Sequence, residues 1–185
     1  MKFLPLAIPN VFLIESHLHE DERGYIFESF KKNLFEAALH REVNFTQENQ
    51  SHSKKGVVRG LHYQLPPFSQ CKLVRVIQGK IFDVAVDVLP TSPTFGQWVG
   101  EILSDTNQKQ MWIPEGFAHG YLTLSENSKV IYKMTQTYNP FHERSLLWND
   151  SEVAIEWPNI NDIFVSAKDR KGITLKEVAS HYIYD

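Results

Sequence analysis

Between residues 56 and 120 the chain is cut every few residues by a glycine or a proline. Seven glycines (Gly56, Gly60, Gly79, Gly96, Gly100, Gly116, Gly120) and five prolines (Pro66, Pro67, Pro90, Pro93, Pro114) fall in that stretch. A long helix does not survive such punctuation, because proline removes a helical donor and clashes with the preceding turn, and glycine loses the most backbone entropy on ordering. The pieces between the cuts are rich in β-branched and aromatic residues. Residues 72–77, 81–88, 98–103, 110–113 and 130–135 read as strands. Short strands at close spacing, separated by turn signals, predict an antiparallel sandwich or barrel. Helix is expected at 31–40, where Leu34, Phe35, Ala38 and Leu39 share a face, and in a short piece at 175–180.

Alternation along a strand sorts side chains onto two faces. In the 81–88 run, Phe82, Val84, Val86 and Val88 form an apolar face, and Ile81, Asp83, Ala85 and Asp87 form the other. Two carboxylates on the second face fit either a wetted surface or a polar cavity inside the fold, and the pattern alone leaves both open.

A chain of 185 residues is expected to make one domain, with a core large enough to need no disulfide or metal. The single cysteine, Cys71, rules out an internal disulfide framework. A net charge of −3 argues against a nucleic-acid binder. Residues 1–10 are apolar but interrupted by Pro5 and Pro9 and lack a small-residue cleavage site, so they read as part of the fold. No window approaches the length of a membrane span, and a cytoplasmic location is expected.

Of eight histidines, two stand out by context. His62 follows Arg59-Gly-Leu, and His119 lies between Pro114 and Tyr121 in a glycine-flanked stretch. A cupin-type metal site requires a His-x-His pair with a nearby Glu and a later His. His62 is followed by Tyr-Gln, and His17-x-His19 has no visible partner, so no metal is expected. Cys71 reads as a small buried residue rather than a nucleophile. There is no glycine-rich phosphate loop, so a bound phosphate would rely on side chains such as Arg23, Arg59 and Lys72.

The ordered set of motifs resembles the dTDP-4-dehydrorhamnose 3,5-epimerase family over nearly the whole chain. It includes Asp21-Glu-Arg-Gly-Tyr-Ile-Phe-Glu28, Gln47-Glu-Asn49, Arg59-Gly-Leu-His-Tyr-Gln64, Lys72-Leu-Val-Arg-Val-Ile-Gln-Gly79, Asp83-Val-Ala-Val-Asp87, Ile113-Pro-Glu-Gly-Phe-Ala-His-Gly120, Tyr132-Lys133, Trp157-Pro158 and Ser166-Ala-Lys-Asp169. The resemblance implies an all-β, cupin-like antiparallel β-barrel (jelly roll) with a few short helices. It implies a homodimer with exchanged N-terminal strands and no cofactor. It also implies a reaction that inverts carbons 5 and 3 of dTDP-4-dehydro-6-deoxy-D-glucose, giving dTDP-4-dehydro-L-rhamnose. A relative that inverts only one carbon of a related 4-keto-deoxysugar is the alternative.

Such chemistry needs a base on one face of the sugar, an acid on the other, and a group that holds the enolate oxygen between them. By the family motifs, His62 is the base, Asp169 orients it, Tyr132 is the acid, and Lys72 stabilises the enolate. An imidazole suits the base role because its reference pKa is about 6.5. The same resemblance assigns Arg23 and Arg59 to the diphosphate and Tyr138 to stacking on the thymine. It places Glu28, Gln47, Glu48, Asn49, His119, Glu143 and Lys168 among the substrate-binding positions. Arg23 and Glu28 are expected to serve the neighbouring subunit. Leu89, Glu48 and Ser145 depart from the usual Arg, Asp and Gly of the pattern.

Overall fold

The computed structural model describes residues 1–182. In chain order the strands are β1 Lys2–Pro5, β2 Phe12–Glu15, β3 His19–Asp21 and β4 Gly24–Ile26. Helix α1 (Lys32–Leu39) follows, then β5 Gln47–Lys54, β6 Val57–Gln64, β7 Lys72–Gln78, β8 Lys80–Asp87 and β9 Trp98–Ser104. The chain continues with β10 Gln110–Ile113, β11 Phe117–Thr123, β12 Asn127–Met134, β13 Glu143–Ser145, β14 Phe164–Val165 and α2 Leu175–His181. The expected strands and both helices are present, with ends shifted by a few residues.

Two antiparallel sheets form a jelly-roll sandwich. The first runs β1-β2-β10-β7-β12-β5, and the second runs β13-β6-β11-β8-β9, with β14 parallel to β6 at its edge. Among the described residues no ladder joins the two sheets into a closed barrel. The facing surfaces enclose Leu13, Val74, Val76, Met111, Ile113 and Val130 from the first sheet and Ile81, Ala85, Val99, Leu103 and Tyr121 from the second. Thus the face of β8 that carries Asp83 points into the sandwich, which settles the choice left open by alternation.

The other face of β8 is buried as well. Residues 146–182 fold back over it, so Val84, Val86 and Val88 pack against Leu61, Leu146, Val153, Leu175 and Val178. Asp150 fixes this cover: Oδ1 accepts from Glu152 and Val153 N–H, and Oδ2 accepts from Leu175 N–H at the start of α2. Asp87, at the end of β8, accepts from Leu89 N–H, Ser92 Oγ–H and Thr94 Oγ1–H. It is a loop clasp rather than a site residue, and the exposed Leu89 beside it makes no ionic contact.

On the first sheet, α1 lays Phe35 onto Trp112, Leu73 and Ile14. Strand β1 pairs with β2, and β2 pairs with β10 of its own chain. The N-terminal element that stands away from both sheets is the β3–β4 hairpin, a separate two-stranded unit with Tyr25 and Ile26 exposed. No helix of the described residues is long and apolar enough to cross a membrane.

Candidate active site

One end of the sandwich stays open as a cavity of about 660 Å³. Its floor comes from strand alternation, except on β6, where a register shift against β11 brings Arg59 and His62, three residues apart, to the same side. On β5, Gln47 and Asn49 turn inward; on β6, Arg59 and His62; on β7, Lys72; on β11, His119 and Tyr121; on β12, Tyr132 and Met134. The rim is Tyr138 and Glu143 on one side and Phe164 to Asp169 on the other.

His62 Nε2 lies 2.7 Å from Asp169 Oδ1. The Asp169 side chain is buried, and its other oxygen accepts from Gly60 N–H at 3.4 Å. Burial pushes the Asp169 carboxyl up, but hydrogen bonds from His62 and Gly60 and the charge of His62 outweigh it, and the net shift is downward. An ionised Asp169 takes the Nε2–H of His62, which leaves Nδ1 as the basic nitrogen.

Lys72 is buried, and its Nζ donates to the backbone carbonyl of His62 at 2.8 Å. Burial pulls its ammonium down to about 8, while the charges of Asp83 and Glu143 hold it up. Lys72 therefore stays cationic at neutral pH with little margin. The Tyr132 ring lies 6.4 Å from that of His119, and its hydroxyl sits 3.5 Å from Asn49 Nδ2.

The mouth is held by a linked set of polar groups. Tyr138 N–H donates to Gln47 Oε1, its hydroxyl donates to Glu143 Oε2, and Lys168 pairs with the same carboxylate. Gln64 fixes the loop beneath, donating to Phe68 and Thr137 carbonyls and accepting from Asn139 N–H. The Arg59 guanidinium donates to Ser53 Oγ and to the His52 carbonyl. Half of the Tyr138 ring remains exposed, presenting an aromatic face at the cavity lip.

The cavity gathers eleven of the expected residues: His62, Tyr132, Asp169, Lys72, Gln47, Asn49, Arg59, His119, Tyr138, Glu143 and Lys168. Three lie elsewhere in the single chain. Arg23 and Glu28 belong to the exposed region around the β3–β4 hairpin, where they pair with Asp21 and Lys31. Glu48 points the opposite way from Gln47 and Asn49, because adjacent strand residues alternate, and it pairs with Lys133 on the outer face of the first sheet. Residues the sequence reading missed include Tyr121, Gln70, Met134, Phe164 and Ser166. Tyr121 could have been found, since it stands two positions along the same strand as His119.

Cys71 is buried, and burial pushes its thiol up to about 12, which leaves it an inert packing residue. The His17 and His19 rings stack edge to face at 4.6 Å, and among the described residues no three potential ligands converge there or elsewhere.

Fold and site together define an acid–base enzyme on a cupin-like jelly roll, with a His–Asp pair set beside a buried ammonium. Residues 5–177 match the dTDP-4-dehydrorhamnose 3,5-epimerase family, and the chain belongs to it. It is 52% identical over 93% of its length to a dTDP-4-dehydrorhamnose 3,5-epimerase of Pseudomonas aeruginosa, covering 94% of that protein. It superposes with a TM-score of 0.91, at 43% identity, on a dTDP-6-deoxy-D-glucose-3,5-epimerase of Legionella pneumophila solved with dTDP-4-keto-L-rhamnose, covering 100% of this chain and 94% of that one. A 3'-monoepimerase from Streptomyces bikiniensis solved with dTDP-quinovose has a TM-score of 0.90 at 29% identity, covering 95% of this chain and 89% of that one. Fold alone therefore does not separate double from single epimerisation.

Proposed function

We propose that the chain inverts carbons 3 and 5 of dTDP-4-dehydro-6-deoxy-D-glucose by proton removal and return, forming dTDP-4-dehydro-L-rhamnose. The observation that carries the reading is the convergence of the His62–Asp169 pair, the Lys72 ammonium and the Tyr132 hydroxyl on one cavity.

The keto group at carbon 4 acidifies the C–H bonds on both neighbouring carbons. His62 Nδ1 takes the proton, and Asp169 offsets the charge that forms on the imidazolium. The electron pair moves onto the carbon 4 oxygen, where Lys72 supplies a cation in a water-poor setting. Tyr132 returns a proton from the opposite face and completes the inversion. The second carbon repeats the cycle once the sugar has been re-presented to the same base. Arg59 suits the diphosphate by its planar fork, and the Tyr138 ring suits stacking on the thymine. No step draws on a cofactor, because the substrate's own ketone stores the electron pair.

The enzyme works as a homodimer in this reading. The β3–β4 hairpin then carries Arg23 and Glu28 to the cavity of the neighbouring subunit. The location is cytoplasmic.

The test is proton NMR of the substrate with enzyme in deuterated water. Deuterium entering at carbons 3 and 5, with a product that a rhamnose-forming reductase accepts, is expected. Exchange and inversion at one carbon alone would move the assignment to the single epimerases.

A further inference from the structure

Between β12 and β13 the chain leaves both sheets, and this connection carries Tyr138 to the cavity mouth. A segment outside any ladder must find other partners for its peptide groups. Over residues 136–139 those partners are glutamine side chains. Gln70 Nε2 donates to the Gln136 carbonyl at 2.7 Å, and Gln64 Nε2 donates to the Thr137 carbonyl at 3.2 Å. Tyr138 N–H donates to Gln47 Oε1 at 2.8 Å, and Asn139 N–H donates to Gln64 Oε1 at 2.7 Å. Each residue of this run thus rests one peptide group on a glutamine amide.

Gln64 is the centre of the bracket. It is buried, and its amide holds the chain on both sides of Tyr138, at the Thr137 carbonyl and at the Asn139 N–H. Its remaining Nε2 hydrogen goes to the Phe68 carbonyl at 2.6 Å. The oxygen meets an N–H and the nitrogen meets carbonyls, so the partners fix which way the amide points. A carboxylate there would turn an oxygen toward carbonyls, and a thioether would donate nothing. The far end of the ring is held separately, by the bond from the Tyr138 hydroxyl to Glu143 Oε2 at 2.8 Å. The ring is therefore fixed at both ends while half of it faces solvent at the lip.

We propose that Gln64 is a positioning residue for nucleobase recognition, with buried Gln70 as its second strut. The two amides hold residues 136–139 so that the Tyr138 ring is set as a stacking face before the nucleotide arrives. Freedom lost on folding is then not lost again on binding. The inference rests on the reading of Tyr138 as the residue that stacks on the thymine. Gln64 itself is not among the residues that line the cavity, so it acts through that ring.

The test is a double-mutant cycle read by calorimetry, with dTDP as a probe that binds without reacting. Tyr138→Ala removes the stack and is expected to weaken dTDP about tenfold. Gln64→Met keeps the length of the side chain and removes its hydrogen bonds to Phe68, Thr137 and Asn139. It is expected to weaken dTDP about fivefold when Tyr138 is present and less than about twofold when Tyr138 is Ala. In turnover, KM of Gln64→Met rises by a similar factor while kcat stays within about twofold, as for a contact made equally in ground and transition states. An unchanged dTDP affinity in folded Gln64→Met, or an equal loss with and without the Tyr138 ring, would overturn the proposal. If Gln64→Met does not fold, Gln70→Met removes only the strut to Gln136 and enters the same cycle, with the same dependence on Tyr138 expected and the same two outcomes against it. Failure of the stacking reading shows separately. Tyr138→Ala would then bind dTDP as the wild type does, and the inference falls with it.

Discussion

The 2.7 Å contact between His62 and Asp169 orients the imidazole proposed to remove the proton. With Asp169 ionised, the imidazole is held in one tautomer, with Nε2–H toward the carboxylate and Nδ1 free to take a proton. Asp169→Asn keeps the size of the side chain and loses that support, so kcat is expected to fall by about 10²–10⁴, as for other His–carboxylate pairs. Steady-state kinetics with nucleotide affinity measured in parallel checks this; equal losses in both would mean a collapsed pocket. His62→Ala should abolish deuterium exchange at both carbons, and residual wild-type exchange would refute the base assignment. Lys72 sets the other limit. Its ammonium is pulled down to about 8 by burial, so the active, charged form is complete below that pH and is lost as pH rises through it. Turnover should therefore decline above about pH 8, well before an exposed lysine would titrate. A pH profile of kcat flat to pH 10 would show that Lys72 carries no charge-dependent role.

The catalytic geometry depends on how closely β6 approaches β11. Gly60 and Gly120 face each other across that pair, and a Cβ on Gly120 would sit 2.5 Å from the Arg59 carbonyl oxygen and 2.8 Å from Leu61 Cδ2. The ladder register also shifts between His119 and Tyr121, beside this contact. The two glycines thus let the strand bearing Arg59 and His62 close on the strand bearing His119 and Tyr121. Gly120→Ala should destabilise the fold by about 1–3 kcal/mol through overpacking and lower kcat more than it alters the melting curve would suggest; chemical denaturation and kinetics on one preparation separate the two. The sequence marked these places, with a glycine close to each histidine, and its apolar runs marked β7 to β10 and β12. Strand β5 was illegible because its inward residues, Gln47, Asn49, Ser51 and Ser53, line or border the polar cavity while its outward ones meet water, so no apolar alternation exists to read. The carboxylate-bearing face of β8 was ambiguous because both faces of the strand are buried, and the cover over the apolar one comes from residues 146–182, far along the chain. Roles for His62, Tyr132 and Asp169 came from family motifs alone. The 2.7 Å hydrogen bond between His119 and Asp83 joins neighbouring strands, and no local pattern announces it.

At the scale of the molecule, the cavity of one chain lacks Arg23. That side chain stands on the β3–β4 hairpin, largely exposed and paired, among the described residues, with Asp21, while Tyr25 and Ile26 present apolar surface to solvent. In the proposed homodimer this hairpin, with its exposed apolar residues, is the element that docks on the second copy. Ile26→Asp should then yield a smaller species in sedimentation, with a raised KM. A sharper experiment asks whose cavity Arg23 serves. Arg23→Ala loses a phosphate contact and should raise KM by about tenfold, and His62→Ala is expected to be inactive. If the hairpin serves the neighbour, a mixed dimer of the two variants contains one cavity with His62 from one subunit and Arg23 from the other. That cavity is complete. Co-expressed subunits with different tags, purified as the heterodimer, should then recover wild-type KM with about half the wild-type kcat per dimer. If Arg23 serves its own chain, every cavity in the mixture keeps a defect, and no site with wild-type KM can form.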